Sequence, residues 1–454
     1  MSAACALAEA GFRVHLVERR GYLGGRASSY LHPGVNEVID NCQHALIGAY
    51  TNLIGFYRRI GVANRIHWTT DYTMIEPGGH RAALGASALP APLHGLPKLL
   101  ACSAFSLRDK LSLARAFTAI LLGSGKDPHQ SLADWLRRQH QSEGAMNRFW
   151  RLVIASALNS DLDQIGVNYA SMVIRGLFMD SPEAGAMGMS TVPLSDLYAA
   201  VPEFLAQRNG ELLLNTTLES AAFDAATAQW HLRARGAANA LVDVTAGYLV
   251  FALPFEGLQR LLPSLPEAEG KAALAAQIER HEHWPICSVH LWFDREITNL
   301  DHAVLLDREI HWMYNQSKLQ SRPGNYIELV VSATRAFAAL PREQAIQQAL
   351  AELAEFFPIV KQAKLEKVAL IKEVRATFGV PPGVDANRPG AVSPWPNCFL
   401  AGDWVATGWP STMESGARSG HLAAEALSKA AGQSRTFLAP DLKPRGLMKY
   451  LTRS

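Results

Sequence analysis

The sequence has few cysteines and no long apolar run, and each of these absences excludes a class of protein. The 454 residues include five cysteines, which are scattered along the chain and form no C-x-x-C pair. This spacing does not indicate a disulfide framework or a zinc site, and we expect no bound metal. No apolar run reaches the roughly 18 residues that a membrane-spanning helix needs. We therefore expect a cytoplasmic protein that is either soluble or bound to the inner face of the cytoplasmic membrane.

An excess of charge of either sign is also absent. The chain has 43 Lys and Arg residues against 41 Asp and Glu residues, which gives a formal net charge of +2. So balanced a composition is not typical of a nucleic-acid-binding protein, and we expect no such partner. With 48% hydrophobic and 19% charged residues, the chain can instead bury a large core. Its length predicts two or three domains, or one enzyme with two lobes.

The first part of the chain has the pattern of half a dinucleotide-binding unit. Residues 2–10 are rich in alanine and precede Gly11, which predicts a helix, and residues 13–17 predict a buried parallel strand that ends at Glu18. In a βαβ unit an acid at this place binds ribose hydroxyls, and a glycine-rich turn before the helix admits a pyrophosphate. That turn is absent here. We expect the complete protein to begin upstream of Met1, and a defective chain is the alternative.

Two glycines and an arginine follow this acid, and a second segment that could meet the same cofactor lies near the other end of the chain. Gly24 and Gly25 permit a close backbone approach, and Arg26 supplies N–H donors suited to a pyrophosphate. A plain turn with a solvated arginine is the alternative for the tripeptide alone. Further along, a strand-like run ends in Gly402-Asp403, and a helix of small residues follows. Such a helix can direct backbone N–H groups at one end of a long cofactor.

Five stretches of the chain resemble a known family. ERRGYLGGR at 18–26 and AGDWVATGWPSTMESGARSG at 401–420 resemble the paired signatures of flavin amine oxidases and carotenoid-type (phytoene) desaturases. Within that superfamily, three further stretches resemble hydroxysqualene dehydroxylases, also called squalene-associated FAD-dependent desaturases: DNCQHALIGAY at 40–50, FWRLVIASALNSDLD at 149–163 and PICSVHLWFDREI at 285–297. The resemblance covers nearly the whole chain.

The chain departs from the pattern of that family at three places. The glycine-rich turn is missing, Cys42 stands where relatives usually have glycine, and Ser415-Gly416 stands where relatives usually have Gly-Ala. The second and third departures are small changes of side chain that the fold can absorb.

The resemblance implies FAD as the cofactor, bound along its length by residues of both signatures. It implies that Glu18 holds the adenosine ribose, Arg26 the diphosphate and Asp403 the ribityl-diphosphate end. Leu218 would meet the adenine through its backbone. The remaining residues of the implied set are Arg19, Gly24, Gly25 and Gly402, with Thr412 and Met413 beside the isoalloxazine ring.

The resemblance also implies a reaction, which is the reductive removal of the hydroxyl of hydroxysqualene to give squalene in squalene and hopanoid biosynthesis. The flavin would carry the redox chemistry, and the protein would supply an apolar channel and one proton donor. His44 is the candidate donor, because it lies in the loop after the glycine-arginine turn, which approaches the flavin in this fold. Asp40 would orient His44 or cap the following turn. A His44 that only fixes the loop is an equal alternative.

The resemblance and the order of elements together predict an α/β fold. We expect a Rossmann-like FAD-binding domain of the glutathione-reductase type that lacks its first strand, with an inserted α+β substrate domain that includes a helical lobe. The expected segments are 1–85, 201–262 and 376–432 for the FAD-binding domain, 86–200 for the helical substrate and membrane lobe, 263–375 for the substrate-domain sheet, and 433–454 for a loose basic tail.

The basic amphipathic segment 96–122 has two interpretations. A helix that faces the core is the ordinary one. Once the substrate is taken to be an isoprenoid, which dissolves in bilayers, a membrane-facing entrance becomes the favoured interpretation.

Several functional alternatives remain open. A carotenoid or phytoene-type desaturase, or a flavin amine oxidase, would use the same scaffold. A flavin-free, membrane-associated remnant is the alternative that is not an enzyme. His281-Glu282-His283 suggests a metal site, but no third ligand follows at a recognisable spacing, and we interpret the stretch as a strand entrance. The sequence identifies neither the electron donor nor the oligomeric state.

Overall fold

The structure, a computed structural model, describes residues 1–451. Its strands are β1 (His15–Val17), β2 (Ser29–His32), β3 (Glu37–Asp40), β4 (Leu46–Ile47), β5 (Ile66–Thr69), β6 (Asp71–Ile75), β7 (Arg81–Gly85), β8 (Met187–Ser190), β9 (Glu211–Leu213), β10 (Thr217–Asp224), β11 (Gln229–Arg235), β12 (Leu241–Ala246), β13 (Leu249–Ala252), β14 (His283–Phe293), β15 (His302–Leu305), β16 (Trp312–Asn315), β17 (Asn325–Ser332), β18 (Leu365–Phe378) and β19 (Cys398–Ala401). Its α-helices are α1 (Ser2–Glu9), α2 (Thr51–Arg59), α3 (Leu96–Ala101), α4 (Leu107–Leu121), α5 (Leu132–Arg138), α6 (Glu143–Ala145), α7 (Ser156–Leu158), α8 (Val167–Ile174), α9 (Val201–Ala206), α10 (Phe255–Leu261), α11 (Lys271–Glu279), α12 (Gln316–Leu319), α13 (Arg335–Ala339), α14 (Arg342–Phe356), α15 (Met413–Ala430) and α16 (Met448–Leu451).

The strand that precedes Glu18 lies in a parallel pair, as the helix-strand-acid pattern predicts. β1 runs parallel to β9, and the Glu18 N–H continues the ladder by donating to the Leu213 carbonyl at 2.8 Å. β13 and β19 form a second parallel pair. Helix α1 packs on α15 so closely that a Cβ at Gly420 would lie 2.1 Å from Ser2 Oγ. The predicted α/β fold is confirmed.

A seven-stranded sheet forms a separate layer, with the order β18-β14-β17-β16-β15-β6-β7. Its neighbours are antiparallel except for β15 and β6, which are parallel. The sheet packs through a buried apolar cluster against α14, which contributes Leu353 and Phe356. β6 and β7 belong to this sheet, whereas the sequence placed all of residues 1–85 with the nucleotide-binding part. Met74 of β6 pairs with Val304 of β15, and pairing between such distant residues leaves no local pattern in the sequence.

Helices α3 to α8 form the helical lobe that the sequence predicts after residue 86. α4 begins with a capping box, in which the side chains of Ser106 and Asp109 each accept a hydrogen bond from the backbone N–H of the other residue. Its residues Leu113 and Ile120 are buried at helical spacing, while Leu107 and other residues face outward. Within residues 1–451, none of the helices combines the length and the apolar composition that crossing a bilayer requires.

The described part of the C-terminal segment is bound to the body of the protein, and residues 452–454 of the expected tail lie outside the described residues. The Phe437 N–H donates to Glu425 Oε1 at 2.7 Å, and the Leu447 N–H donates to the Ala91 carbonyl at 2.8 Å. Anchors of this kind are single hydrogen bonds to distant residues. They produce no periodic pattern, so the sequence alone does not reveal them.

Candidate active site

One cavity of about 1820 Å³ connects the two signature segments. Ligand sites usually measure roughly 300–1,000 Å³, so this cavity has room for a dinucleotide cofactor and for a second, long ligand. The fold brings the whole expected cofactor-binding set to its walls, namely Glu18, Arg19, Gly24, Gly25, Arg26, Leu218, Gly402, Asp403, Thr412 and Met413.

A direct ion pair joins the front signature to the back signature. Arg26 Nη2 lies 2.6 Å from Asp403 Oδ1, and the Ser411 hydroxyl donates to Asp403 Oδ2 at 2.5 Å. Burial favours a higher pKa for Asp403, but the Arg26 charge and the Ser411 hydroxyl outweigh it and hold the pKa below its usual value. The second Arg26 nitrogen, Nη1, donates to the Ala376 carbonyl at 2.9 Å. Arg26 therefore reaches the cavity as half of a fixed, ionised pair.

The turn after Glu18 is built from glycines that the geometry requires. Gly24 has a φ of +115°, and a Cβ there would lie 2.4 Å from the Ala27 carbonyl oxygen. Gly25 has a φ of +61° with open space at the Cβ position. Glu18 Oε1 accepts the Arg20 N–H at 2.8 Å, which fixes the carboxylate at the end of the strand. The other carboxylate oxygen can meet a ligand hydroxyl.

The groups around the end of the cavity that is lined by Glu18 and Asp403 fit FAD. The first turn of α1, residues 1–4, lines the cavity, and the first N–H groups of a helix have no partner within the helix. At Gly416 of α15 a Cβ would meet no atom within 4 Å, so the backbone there lies open to the cavity. Helix N–H groups suit a diphosphate, and the carboxylates of Glu18 and Asp403 suit ribose and ribityl hydroxyls.

His44 lines the cavity in the loop that follows β3. Its Nδ1 lies 2.6 Å from the Cys42 carbonyl oxygen. Because a carbonyl only accepts, Nδ1 carries the hydrogen, and Nε2 is the nitrogen that can meet a ligand. Burial lowers the pKa of His44, and the charge of Arg26 adds to this, against the opposing effects of the Cys42 carbonyl and Glu373. The ring is therefore neutral at neutral pH, and proton donation from Nε2 requires its protonated form.

The Asp40 carboxylate is hydrogen-bonded to residues other than His44. Its Oδ1 accepts the Ser29 hydroxyl at 2.5 Å and the Leu194 N–H at 3.0 Å. Its Oδ2 accepts Nε2 of Gln320 at 3.2 Å. These bonds tie the β2–β3 hairpin to two other segments, and Asp40 is not among the described residues that line the cavity. The expected orientation of His44 by Asp40 is not seen, because the carboxylate is occupied by structural partners.

A buried carboxyl group that the sequence did not indicate holds the residue before His44. Glu328 Oε1 accepts the Gln43 N–H at 2.6 Å, and Glu328 Oε2 accepts Nε2 of Gln316 at 2.7 Å. The same Gln316 nitrogen donates to Gln43 Oε1 at 2.7 Å. Burial, and to a smaller extent the nearby Asp40 carboxylate, raise the pKa of Glu328 to about 8. One glutamate inside the apolar strand β17 gives no sequence signal of this role.

Polar residues of β18 also line the cavity near Arg26. Asn41 Nδ2 donates to the Arg26 carbonyl at 3.2 Å and to Glu373 Oε2 at 3.3 Å, and Arg375 lies two residues further along the strand. Residues two apart in a strand share a face. The alternation of charged residues at 373 and 375 is the signal that could have predicted a polar site on this strand.

The other end of the cavity is apolar, and the helical lobe forms its wall. A π-helical segment, Met146–Ala155, forms part of this wall, and such segments often occur at functional sites. Cys42 belongs to the same buried apolar cluster as Met187 and Tyr314, which also line the cavity. The loop that carries His44 therefore connects the polar end to the apolar end. Side chains of the apolar wall include Leu113, Phe117, Phe149, Leu152, Met172 and Phe178.

The His281-Glu282-His283 stretch leads into β14. His283 Nε2 lies 3.6 Å from Glu256 Oε2, and the His281 ring packs between Phe255 and Phe378. Burial, and to a smaller extent the charge of Arg388, lower the pKa of His281 to about 4. Within residues 1–451, no three His, Cys, Asp or Glu side chains are arranged to hold a metal ion.

Known proteins resemble the chain along nearly its whole length. The family model described as flavin containing amine oxidoreductase matches residues 1–428. The 15-cis-phytoene desaturase of Synechococcus elongatus is 25% identical, over 94% of this chain and 93% of the relative. The crystal structure of an oxidoreductase from Methanosarcina mazei has a TM-score of 0.69 at 15% identity, and covers 92% of this chain and 96% of its own. Cyclohexylamine oxidase from Brevibacterium oxydans has a TM-score of 0.64 at 16% identity, covering 95% and 97%. These structures share the fold.

Proposed function

The chain belongs to the family of flavin containing amine oxidoreductases, and from this premise we propose that it converts hydroxysqualene to squalene by reductive dehydroxylation. It is an FAD-dependent oxidoreductase. The observation that carries the proposal is the continuity of one cavity from the cofactor-binding residues to a long apolar end. A long isoprenoid hydrocarbon has few polar groups, so apolar walls are what bind it.

FAD would be held by the residues that the two signatures bring together. In this proposal Glu18 would bind the adenosine ribose, the first turn of α1 and Arg26 would bind the diphosphate, and Asp403 would bind the ribityl-diphosphate end. Leu218 would meet the adenine, and Thr412 and Met413 would lie by the ring system. When bound, FAD supplies hydride-transfer chemistry.

The residues of this chain must supply the proton and exclude water. Replacement of a carbon–oxygen bond by a carbon–hydrogen bond consumes a hydride and a proton and releases water. We assign the proton to Nε2 of His44 in its protonated form, with the ring orientation fixed by the Nδ1–H bond to the Cys42 carbonyl at 2.6 Å. The apolar walls exclude water from the substrate carbon. Asp40 supports the loop from behind and is a structural residue in this mechanism.

A second candidate function is carotenoid desaturation, in which a similar substrate is oxidised. It is favoured by the 25% identity to a relative named 15-cis-phytoene desaturase. The same apolar cavity would serve both reactions. Amine oxidation has less support, because the apolar end offers an ammonium group little compensation for the loss of its hydration.

The substrate class also bears on location. An isoprenoid of this size dissolves in bilayers, so the proposal includes peripheral attachment to the inner face of the cytoplasmic membrane. The electron donor must deliver two electrons to the flavin for each hydroxyl removed.

Anaerobic turnover of the purified holoprotein tests the proposed function. The protein is incubated with detergent-dispersed hydroxysqualene and a chemical flavin reductant, and squalene is measured by gas chromatography and mass spectrometry. Squalene formation supports the proposal. Conversion of phytoene with a quinone acceptor, without any squalene in the first assay, would select the second candidate. Flavin-loaded protein that does neither would reject both.

A further inference from the structure

Tyr314 carries a hydroxyl that the fold leaves without a partner inside the apolar part of the cavity. The residue lies on β16, lines the cavity and is only 4% exposed. In the part of the chain that the structure describes, its hydroxyl makes no hydrogen bond, and the polar atoms that are both unpartnered and fully enclosed belong to other residues. The Tyr314 oxygen is therefore open to the cavity. A phenol can donate and accept a hydrogen bond, so it can meet a ligand there.

Neighbouring polar groups on the same wall do have partners. The Tyr72 hydroxyl donates to the Gly185 carbonyl at 2.8 Å, and Trp312 Nε1 lies 3.4 Å from Ser156 Oγ. Both Tyr72 and Trp312 line the cavity. Buried polar groups in proteins are nearly always hydrogen-bonded. The free hydroxyl of Tyr314 is thus an exception on this wall, of the kind that a bound ligand completes.

The Tyr314 ring is held in place although its hydroxyl is free. It stacks on Trp312, with ring centroids 5.9 Å apart and an angle of 12° between the ring planes. It also belongs to one buried apolar cluster with Met187 and Val330. A hydrogen-bond donor that is fixed before the ligand arrives lowers the entropic cost of binding.

Strand β17 places this hydroxyl beside the loop that carries His44. Tyr314 is directly opposite Glu328 in the β16–β17 ladder, and opposite residues project from the same face of a sheet. Glu328 accepts the Gln43 N–H at 2.6 Å, and Cys42 packs in the same cluster as Tyr314. The Tyr314 hydroxyl and Nε2 of His44 therefore lie on adjoining parts of the cavity wall.

The Tyr314 hydroxyl keeps its hydrogen near neutral pH. Burial, and to a smaller extent the nearby Cys42 and Glu328, raise the pKa of the phenol well above its usual value. The group is therefore an uncharged donor. A hydrocarbon offers it no acceptor, whereas an alcohol oxygen has two lone pairs. One lone pair can accept from Tyr314 while the other takes the proton from His44.

We propose that Tyr314 recognises the oxygen of the substrate, by donating a hydrogen bond to the substrate hydroxyl and holding that oxygen for protonation by His44. The inference rests on the proposed function, which supplies the alcohol. It deepens that function, because it makes the cavity selective for an isoprenoid alcohol over a hydrocarbon of the same length. A bound hydrocarbon would leave the phenol buried and unpaired. The contact is lost when water leaves, so the product binds more weakly than the substrate.

Binding to the oxidised holoprotein tests this selectivity without turnover, because dehydroxylation needs reduced flavin. Detergent-dispersed hydroxysqualene and squalene are titrated separately, and the protein-bound ligand is isolated by rapid gel filtration and measured by mass spectrometry. The parent should bind the alcohol with a lower Kd than the hydrocarbon. Tyr314→Phe removes the oxygen and keeps the ring. It should raise the Kd of hydroxysqualene about tenfold and leave the Kd of squalene unchanged or lower.

Tyr72→Phe is the matched control. Tyr72 also lines the cavity, but its hydroxyl is already bonded to the Gly185 carbonyl. This variant should change the Kd of both ligands by the same factor, and so keep the preference for the alcohol. A preference that persists in Tyr314→Phe, a preference that Tyr72→Phe abolishes equally, or a parent that binds both ligands alike would each overturn the proposal.

Turnover with reduced flavin separates this inference from the proposed function. Tyr314→Phe should raise the KM for hydroxysqualene about tenfold, while the rate keeps the pH dependence of the parent because His44 stays the proton donor. Squalene formation with an unchanged KM in Tyr314→Phe would remove the role of Tyr314 and leave the function standing. A parent that forms no squalene, but whose preference for the alcohol is lost in Tyr314→Phe, would keep the alcohol site and lose the proposed reaction.

Discussion

Replacement of Glu328 by glutamine should remove the effect of pH on stability that this buried carboxyl produces. The pKa of Glu328 is raised to about 8 from an ordinary value of 4.5, so near neutral pH the folded protein holds a proton that the unfolded chain has lost. The stability of the protein then falls as the pH rises from the unfolded-state pKa towards the folded-state pKa. At pH 7 the loss is about 3 kcal/mol. For a chain of 454 residues, this corresponds to about 3 °C in Tm.

Thermal unfolding of parent and Glu328→Gln holoproteins between about pH 5 and pH 9 measures this effect. Glutamine replaces one acceptor oxygen by an NH2 group, so one bond to Gln43 or Gln316 is lost, at about 1 kcal/mol at every pH. The variant should therefore be slightly less stable than the parent near pH 5 and more stable near pH 8. Glu267→Gln is the control, because the Glu267 side chain is 91% exposed. A difference between variant and parent that does not change with pH would refute the reasoning, since Glu328 would then be ionised throughout.

Three other substitutions test the site directly. His44→Ala should lower turnover about 10²-fold. The parent rate should fall as the pH rises, because burial lowers the pKa of the proposed donor. Unchanged rates in the variant would remove His44 from the mechanism. Gly402→Ala places a Cβ 2.5 Å from Trp404 Nε1 at a φ of +147°. Calorimetry should therefore show a loss of about 1–3 kcal/mol in the free energy of unfolding. An unchanged Tm would mean that the strand end moves freely. Glu414→Ala removes the buried partner of Arg418, whose Nη1 lies 3.3 Å from Glu414 Oε1, and the acceptor of the Asn52 N–H. Urea unfolding should show a loss of about 3–5 kcal/mol, with a loss below about 1 kcal/mol contradicting it.

The local part of the fold could be predicted from the sequence because it has periodic patterns. The helix-strand-acid pattern at the start corresponds to α1, β1 and Glu18, and the strand-like run predicted before Gly402-Asp403 is β19. The placement of β6 and β7 could not be predicted in this way, because their partner β15 is distant in sequence. The π-helical segment Met146–Ala155 has the apolar pattern of an ordinary helix.

The candidate site shows the same division. Glu18, Arg26 and Asp403 belong to signatures with recognisable spacing, and the structure brings them to one cavity. Glu328 and Glu373 were missed, because each is a single acid in a strand and acquires its role only through contacts with residues 41–43. The role proposed for His44 stays a prediction.

The ion pair between Arg26 and Asp403 has a consequence for biosynthesis. Its two residues are separated by nearly the entire chain, and at ribosomal rates the second emerges about 20 to 80 s after the first. During that time the nascent protein has one wall of the flavin site and no opposite wall. Loading of the cofactor must therefore wait until β19 and α15 have been translated. A chain interrupted before residue 403 would be a colourless protein with an exposed apolar interior.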